Sequence, residues 1–394
     1  MSRDVSELAG SRDSGTTALP HTTPSHPAAA ATMPAIIVVA LGTMLAPLNS
    51  TMIAVALPWI GRDFGASVAT TSWLVIAYLV AMAGIQPAAG TLGDRLGRRP
   101  LVLGGLIAFG VASAGAALSP TLPLLIVARV CQAAAGAVLV PNGTALVREL
   151  VPQAERARRF GQIGAAISCA AAVGPPLGGV LIASAGWRAV FAANIALIAP
   201  ALWLGWRALP VTTRVRERRP FDLAGAVVLA ALLCAVAATL TRWPAFRQQA
   251  GAAQLAIAGL LAAGVIGFVR YELRHAAPAL PPRLFVRRGF AAATAANALS
   301  NLALYVTLLA TPILLARRGG WSSATIGLLL ATLSGATVLA SPLGGRLADR
   351  LGRRWPAVLG LALLTAGVVP LALGGSTVAL PALLAGLPLA GAGL

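Results

Sequence analysis

The stretch Gly90-Thr-Leu-Gly-Asp94-Arg-Leu-Gly-Arg-Arg99 decides the fold: it is a short run of glycine and charge between two long apolar segments. It returns almost unchanged as Gly345-Arg-Leu-Ala-Asp349-Arg-Leu-Gly-Arg-Arg354. A hairpin too short to be a domain, repeated at that distance, marks a chain built from two related halves.

The composition around it excludes a soluble domain. Of 394 residues, 58% are hydrophobic and only 10% charged, with a mean hydropathy of +0.82, where a soluble domain carries roughly 25% charged residues. Apolar runs of about 18 residues or more recur along the chain, each long enough to cross a bilayer as a helix. Lipid offers the backbone no hydrogen-bond partners, so such runs form helices rather than open strands. The expected fold class is an all-α polytopic membrane protein. The net charge of +19 suggests nucleic acid in a soluble protein, but here the arginines sit in short loops between apolar segments, which is a topology signal. No nucleic-acid partner is expected, and no cofactor. Cys131, Cys169 and Cys234 lie in apolar segments without metal-ligand spacing and read as buried small hydrophobes.

Twelve apolar spans are expected, near 35–58, 71–90, 100–119, 122–147, 160–184, 188–206, 223–241, 252–270, 289–316, 322–344, 356–374 and 377–394. They group as a disordered tail (1–32), a six-helix bundle (33–206), a linker (207–222), two inserted helices (223–270), a loop (271–288) and a partial second bundle of about four helices (289–394). The hairpin follows the second span of each half, so the second half starts near 289 and two helices lie between the halves. With the N-terminus inside, the tail and the loops on its side hold 23 of the 30 arginines, the opposite loops hold six, and Arg129 alone lies within a span. The excess places the N-terminus and both hairpins in the cytoplasm of a bacterial inner-membrane protein.

The hairpin has a physical reading as a latch. Gly90 and Gly93 allow close helix approach, and Gly97 supplies a tight turn. Asp94 can cap a neighbouring helix or pair with an arginine, while Arg95, Arg98 and Arg99 can answer a carboxylate across the cytoplasmic face. Glu149, at the end of the fourth span, is the expected partner of Arg95 or Arg98. Gly345, Asp349, Arg350, Gly352 and Arg353 repeat these roles in the second copy. The alternative is that the arginines only enforce topology.

With these residues in place, the chain from about residue 35 onward resembles the major facilitator superfamily, and specifically its fourteen-helix drug/proton antiporter branch. Both hairpins match the superfamily pattern G-x-L-a-D-r-x-G-r-r. The inserted pair, introduced by Pro220-Phe-Asp222-Leu-Ala-Gly225, points to the fourteen-helix branch. Arg129-Val-Cys-Gln132-Ala-Ala-Ala-Gly136 resembles R-x-x-Q-G-x-G, with Ala133 and Ala135 where the family has glycines. An arginine within a span costs about 2.5–3.5 kcal/mol on insertion scales, so a functional role is the default, against an arginine that snorkels to the interface. Arg129 and Gln132, three apart, share a helix face. Ala170-Ala-Ala-Val-Gly174-Pro175-Pro176-Leu-Gly178-Gly179 resembles the exporter segment g-x-x-x-G-P-x-x-G-G and reads as a hinge and packing element.

Leu48-Asn49-Ser-Thr51-Met-Ile-Ala54-Val-Ala-Leu-Pro58 resembles L-D-x-T-I-V-N-V-A-L-P, with Asn49 in place of the membrane aspartate. Asn cannot titrate, and none of the eleven acidic residues lies deep in a span. Proton coupling then falls to Asp94, Glu149 or Asp222, to a carboxylate outside this sequence, or is altered. Trp73, Tyr78 and Asn194 also match the branch; Tyr78 and Asn194 face either a central cavity or the packing. Trp187 and Trp321 read as interfacial anchors.

The resemblance implies efflux of a small amphipathic compound by proton antiport and alternating access, with the substrate, protons and the lipid bilayer as partners. Uptake of a small anion with Arg129 as counter-ion is the alternative. A third expectation is a non-transporting chain that stops four helices into the second bundle. No histidine cluster, nucleophile with base, metal motif or phosphate loop argues for an enzyme.

Overall fold

The computed structural model describes residues 29–210, 222–242, 251–275, 278, 280–318, 321–352, 354–374 and 380–394. The tail over 1–28, most of the linker and Arg353 lie outside the described residues. Everything regular among the described residues is helical. The helices are α1 (Ala29–Asp63), α2 (Val68–Leu96), α3 (Arg98–Ala117), α4 (Leu122–Leu150), α5 (Gln153–Ala185) and α6 (Arg188–Ala208). Then come α7 (Leu223–Thr241), α8 (Gly251–Arg274), a 3-10 turn (Pro282–Val286), α9 (Arg288–Arg318), α10 (Ser323–Leu351), α11 (Arg354–Gly374) and α12 (Leu380–Gly393). Ten of them, α1 to α10, are long and apolar enough to cross a membrane. α11 is a further apolar helix of 21 residues over the expected 356–374, and α12 covers 380–393 of the last expected span, 375–379 lying outside the described residues.

α1 is the core helix: 72% of its most apolar window is buried, against 11% for α7 and 6% for α8. It packs against α5, α6 and α4 on one side and α9 on the other. The inserted α7 instead lies along α2, where Gly84 lets Ala230 approach so closely that a Cβ there would come within 2.8 Å of the alanine methyl. α7 and α8 are therefore peripheral and face lipid.

The internal repeat is written in the backbone. Ser67 caps α2 by accepting from the Thr70 amide, and Ser322 caps α10 by accepting from Thr325 in the same way. At the other ends, Gly97 (φ 93°) and Gly352 (φ 77°) turn the chain through the left-handed region that favours glycine. Each pair is 255 positions apart, the offset that also separates Ser50 from Tyr305, whose hydroxyls meet at 3.2 Å. A contact between equivalent positions of two halves must lie near the axis relating them, so the α1–α9 seam marks a pseudo-two-fold axis.

One glycine of the first hairpin is required by packing. A Cβ on Gly93 would overlap the side-chain oxygen of Asn142, which is buried on α4 and donates to the carbonyls of Ala89 (2.9 Å) and Val138 (2.8 Å). Gly93→Ala is expected to lower stability by about 1–3 kcal/mol, as overpacking does. In an Asn142→Ala background the same change should be nearly neutral, as read from detergent unfolding; equal losses in both backgrounds contradict the contact. Gly90 differs from expectation: a Cβ there would meet only Pro141, at an ordinary 3.9 Å, so no close approach demands glycine.

Candidate functional site

Three sets of polar groups occupy three levels along the helices: the hairpin side, the middle and the far side. On the hairpin side, Arg98 lies one turn from Asp94 and bonds it at 3.0 Å, while its other terminal nitrogen meets Glu149 on α4 at 2.8 Å. Arg99 donates to the Trp206 carbonyl at the end of α6 (2.8 Å). The first hairpin thus ties α2, α3, α4 and α6 together, the Arg98 pairs being partly buried and the Arg99 bond exposed. A double-mutant cycle of Arg98→Ala with Glu149→Gln is expected to show a coupling of about 0.5–1 kcal/mol in detergent unfolding; strict additivity counts against the tie. In the second copy Arg350 is exposed. Gly345 and Asp349 lie on α10 with their surroundings outside the described set, as does Arg353 altogether.

In the middle, Arg129 is fully buried, which removes the snorkelling alternative. Its Nε donates to the Leu74 carbonyl (3.1 Å) and its Nη1 to Gln132 Oε1 (3.0 Å). Gln132 donates onward to the Ser113 hydroxyl (2.7 Å), which donates to the Phe109 carbonyl (2.7 Å). The guanidinium carbon stands 4.1 Å over the Tyr78 ring, an attraction worth more away from water. α4 presents Arg129 and Gln132 on one face because they are three residues apart, and Ala133 and Ala135 are buried where the family pattern has glycine. The Arg129 Nη2, the Tyr78 hydroxyl and both amide atoms of Asn49 and of Asn194 are buried without a hydrogen-bond partner. Each unmet buried group costs about 1–3 kcal/mol, a cost usually tolerated at functional positions.

On the far side the backbones of α1, α5 and α10 touch. Gly174 and Gly178 of α5 lie on α1, where Cβ atoms would meet Thr51 and Met52. Gly179 lies on α10, where a Cβ would stand 3.1 Å from the Gly327 Cα; one on Gly327 would stand 2.5 Å from the Pro175 carbonyl. Arg62 of α1 donates to the Ala316 carbonyl of α9 (2.8 Å). Between this contact and the hairpin side lies a cavity of about 430 Å³, walled by α1, α5, α9 and α10.

Several expectations are corrected. Trp187 is no interfacial anchor: it is 4% exposed, packs between Phe64 and Phe191 and donates to Asp63, which also accepts from Arg188 (both 3.0 Å). Cys131, Cys169 and Cys234 are exposed rather than buried, because the outer faces of these helices are as apolar as the inner ones. Ser113 and Asn142 escaped notice, since a lone polar residue in an apolar run carries no spacing signal. So did Glu272, which is buried and accepts from the Leu280 amide (3.0 Å). It lies beside Asp222, which caps α7 through the Gly225 amide (2.7 Å) and accepts from the Tyr271 hydroxyl (2.9 Å). Pro220 is outside the described residues.

Fold and site together define a multi-pass helical membrane protein with a cavity between two groups of helices. The chain matches the family model of the Major Facilitator Superfamily over residues 39–299 and 293–394, and it belongs to that superfamily. It is 35% identical over 299 residues to the MFS-type transporter YvkA of Bacillus subtilis, covering 76% of this chain and 66% of that one. Identity is 31% over 338 residues to the tetracenomycin C resistance and export protein of Streptomyces glaucescens (85% and 62%). To the multidrug efflux pump LfrA of Mycolicibacterium smegmatis it is 34% over 310 residues (77% and 60%). The chain thus spans under two thirds of the length of these relatives. Among solved structures, a bacterial homologue of the human drug peptide transporters PepT1 and PepT2 aligns with a TM-score of 0.60 at 14% identity (92% of this chain, 81% of that one). The xylose transporter XylE from E. coli aligns with 0.60 at 15% (92% and 84%). These two share the fold.

Proposed function

We propose that this chain belongs to an exporter of small amphipathic organic compounds, of the fourteen-helix drug/proton antiporter branch, working by alternating access. The observation that carries this is the far-side contact. Glycines of the exporter-like segment of α5 touch α1 on one side and Gly327 of α10 on the other, while a cavity lies just beyond them toward the hairpin side. A glycine-to-glycine contact can part without breaking polar bonds, which suits a seam that opens and closes. Relatives named for resistance and efflux support the direction. The inserted α7 and α8 between the halves support the branch.

The arginine excess places the hairpins in the cytoplasm, so the Asp94–Arg98–Glu149 cluster is a cytoplasmic latch. Among the coupling candidates, Asp94 and Glu149 share Arg98, so protonating either loosens the latch. Uptake of an anion on Arg129 is disfavoured, because its guanidinium is buried among protein partners.

The test is gradient-driven transport of a lipophilic dye in inside-out vesicles. Accumulation is expected when the lumen is acid, and an uncoupler should cut it by about tenfold or more, the effect of losing roughly 1.4 kcal/mol of driving force. Asn49→Asp puts a titratable group at a buried position and should steepen the dependence on the gradient. Accumulation indifferent to the uncoupler sinks proton coupling, and strict anion import sinks efflux.

A further inference from the structure

Resting on the transport reading above, we infer that the substrate is an uncharged, drug-sized molecule rich in hydroxyl and carbonyl groups, held in the cavity between α1 and α5 on one side and α9 and α10 on the other. The volume of about 430 Å³ falls in the range that encloses drug-sized ligands. Its polar lining is neutral throughout. Ser168 comes from α5, Asn297, Ser300, Asn301 and Tyr305 from α9, and Ser334 from α10; Thr51 and Thr337 also line it but spend their hydroxyls on backbone carbonyls, and the rest is mostly aliphatic. No arginine, histidine, aspartate or glutamate side chain lines it among the described residues, and Leu394 adds an apolar side chain to its wall.

Neither intramembrane position at which the family pattern carries a charge brings one to the described walls. Arg129, the one arginine deep in a span, is buried and does not line the cavity. The first-span position that resembles the membrane aspartate of the family holds Asn49, itself buried outside the lining. An ion entering a low-dielectric site without a counter-ion keeps its desolvation cost uncompensated, several kcal/mol after relaxation. Cations and anions are therefore both penalised here.

The hydrogen-bonding capacity points to what is favoured instead. Tyr305 is engaged with Ser50, and the Asn301 amide nitrogen bonds the Asn297 carbonyl (2.9 Å) and side-chain oxygen (3.2 Å). That leaves the Asn297 amide nitrogen, the Asn301 side-chain oxygen and the hydroxyls of Ser168, Ser300 and Ser334 for a ligand. Four of these five residues sit on α9 and α10, and Ser168 of α5 stands on the opposite side. A site built this way discriminates against a hydrocarbon as well, because filling it with one strands these groups without water or partner. The first bundle contributes mainly apolar wall and the second the polar ladder on α9, where Asn297, Ser300, Asn301 and Tyr305 recur at helical spacing.

The test uses the full chain in proteoliposomes under a pH gradient, with radiolabelled chloramphenicol as the neutral probe, ethidium as the cation and p-aminohippurate as the anion. Expected is uptake of chloramphenicol at least about tenfold above either ion, and a drop of about tenfold in Asn297→Leu, the size of effect that losing a site's hydrogen bonds gives. Asn301→Asp, nearly isosteric, should raise ethidium transport by installing a carboxylate in the cavity, which guards against a merely misfolded leucine variant. Ethidium or p-aminohippurate moved as well as chloramphenicol by the unaltered chain overturns the neutral class while leaving the transport reading standing. A chain that moves none of the three overturns both.

Discussion

Arg129→Ala is expected to leave the chain inserted and folded while transport falls to about a tenth or less, the consequence of removing some 1.4 kcal/mol or more from one conformational state. The guanidinium joins three helices through groups that have no water to fall back on. It holds the Leu74 carbonyl of α2, orients Gln132 toward Ser113 of α3, and stacks on Tyr78. Hydrogen bonds to a charged donor contribute about 1.5–3 kcal/mol each, and alanine leaves Gln132 Oε1 unpartnered in a buried site. The helices still insert, because replacing arginine by alanine makes the span more apolar. Arg129→Lys should recover little, since an ammonium has neither the planar face for Tyr78 nor the fork that reaches two acceptors. Initial rates in vesicles, with the thermal unfolding midpoint measured on the same preparations, decide this. Full transport by the alanine variant removes Arg129 from the mechanism.

The second large effect belongs to Gly179. Gly179→Val sets a branched side chain against the backbone of α10, where even a Cβ would crowd the Ser323 carbonyl and the Gly327 Cα. Overpacking costs about 1–3 kcal/mol. Here the cost falls only on the state in which α5 and α10 touch, so the population of the sealed state drops roughly 5- to 150-fold. Transport should fall accordingly. A cysteine introduced at Thr51, labelled by a membrane-impermeant thiol reagent from the far side, should react faster in the Gly179→Val background. Unchanged labelling would mean that the Gly179–Gly327 contact is not the seal.

Both predictions rest on residues that the sequence had flagged, but for different reasons. Arg129 was conspicuous as a lone charge in an apolar run, and bilayer energetics makes that informative without any structure. The glycines of α5 were conspicuous by resemblance; which neighbour each one meets was not. Gly174 and Gly178 serve α1 while Gly179 serves α10, and a one-residue difference on a helix is a 100° change of direction. The turn at Gly352 was foreshadowed by the repeated hairpin, since a local backbone conformation travels with a local sequence; the matching cap at Ser322 lies outside the hairpin and was not.

Other features were not legible. Trp187 looked like an interfacial anchor because a tryptophan at a span end commonly is one; its burial depends on Phe64 and Asp63, which come from a distant part of the chain, as well as on Phe191 one turn along α6. The exposed cysteines were misplaced because hydrophobicity marks a span without marking its inner face. Ser113 and Asn142 became visible only once α3, α2 and α4 were laid side by side.

By itself the sequence determined the helical class, the number and order of apolar segments, the duplicated hairpin and the side on which its arginines gather. These follow from hydrogen-bond satisfaction in lipid and from charge placement, which are local properties of the chain. Only the tertiary structure decided that Arg129 is sealed among protein partners, that Arg98 stands between Asp94 and Glu149, and that the described cavity walls carry no charged side chain. Those outcomes depend on how helices rotate against one another, and in a bilayer that rotation is set by small-residue contacts and a few polar pairs rather than by any hydrophobic stripe.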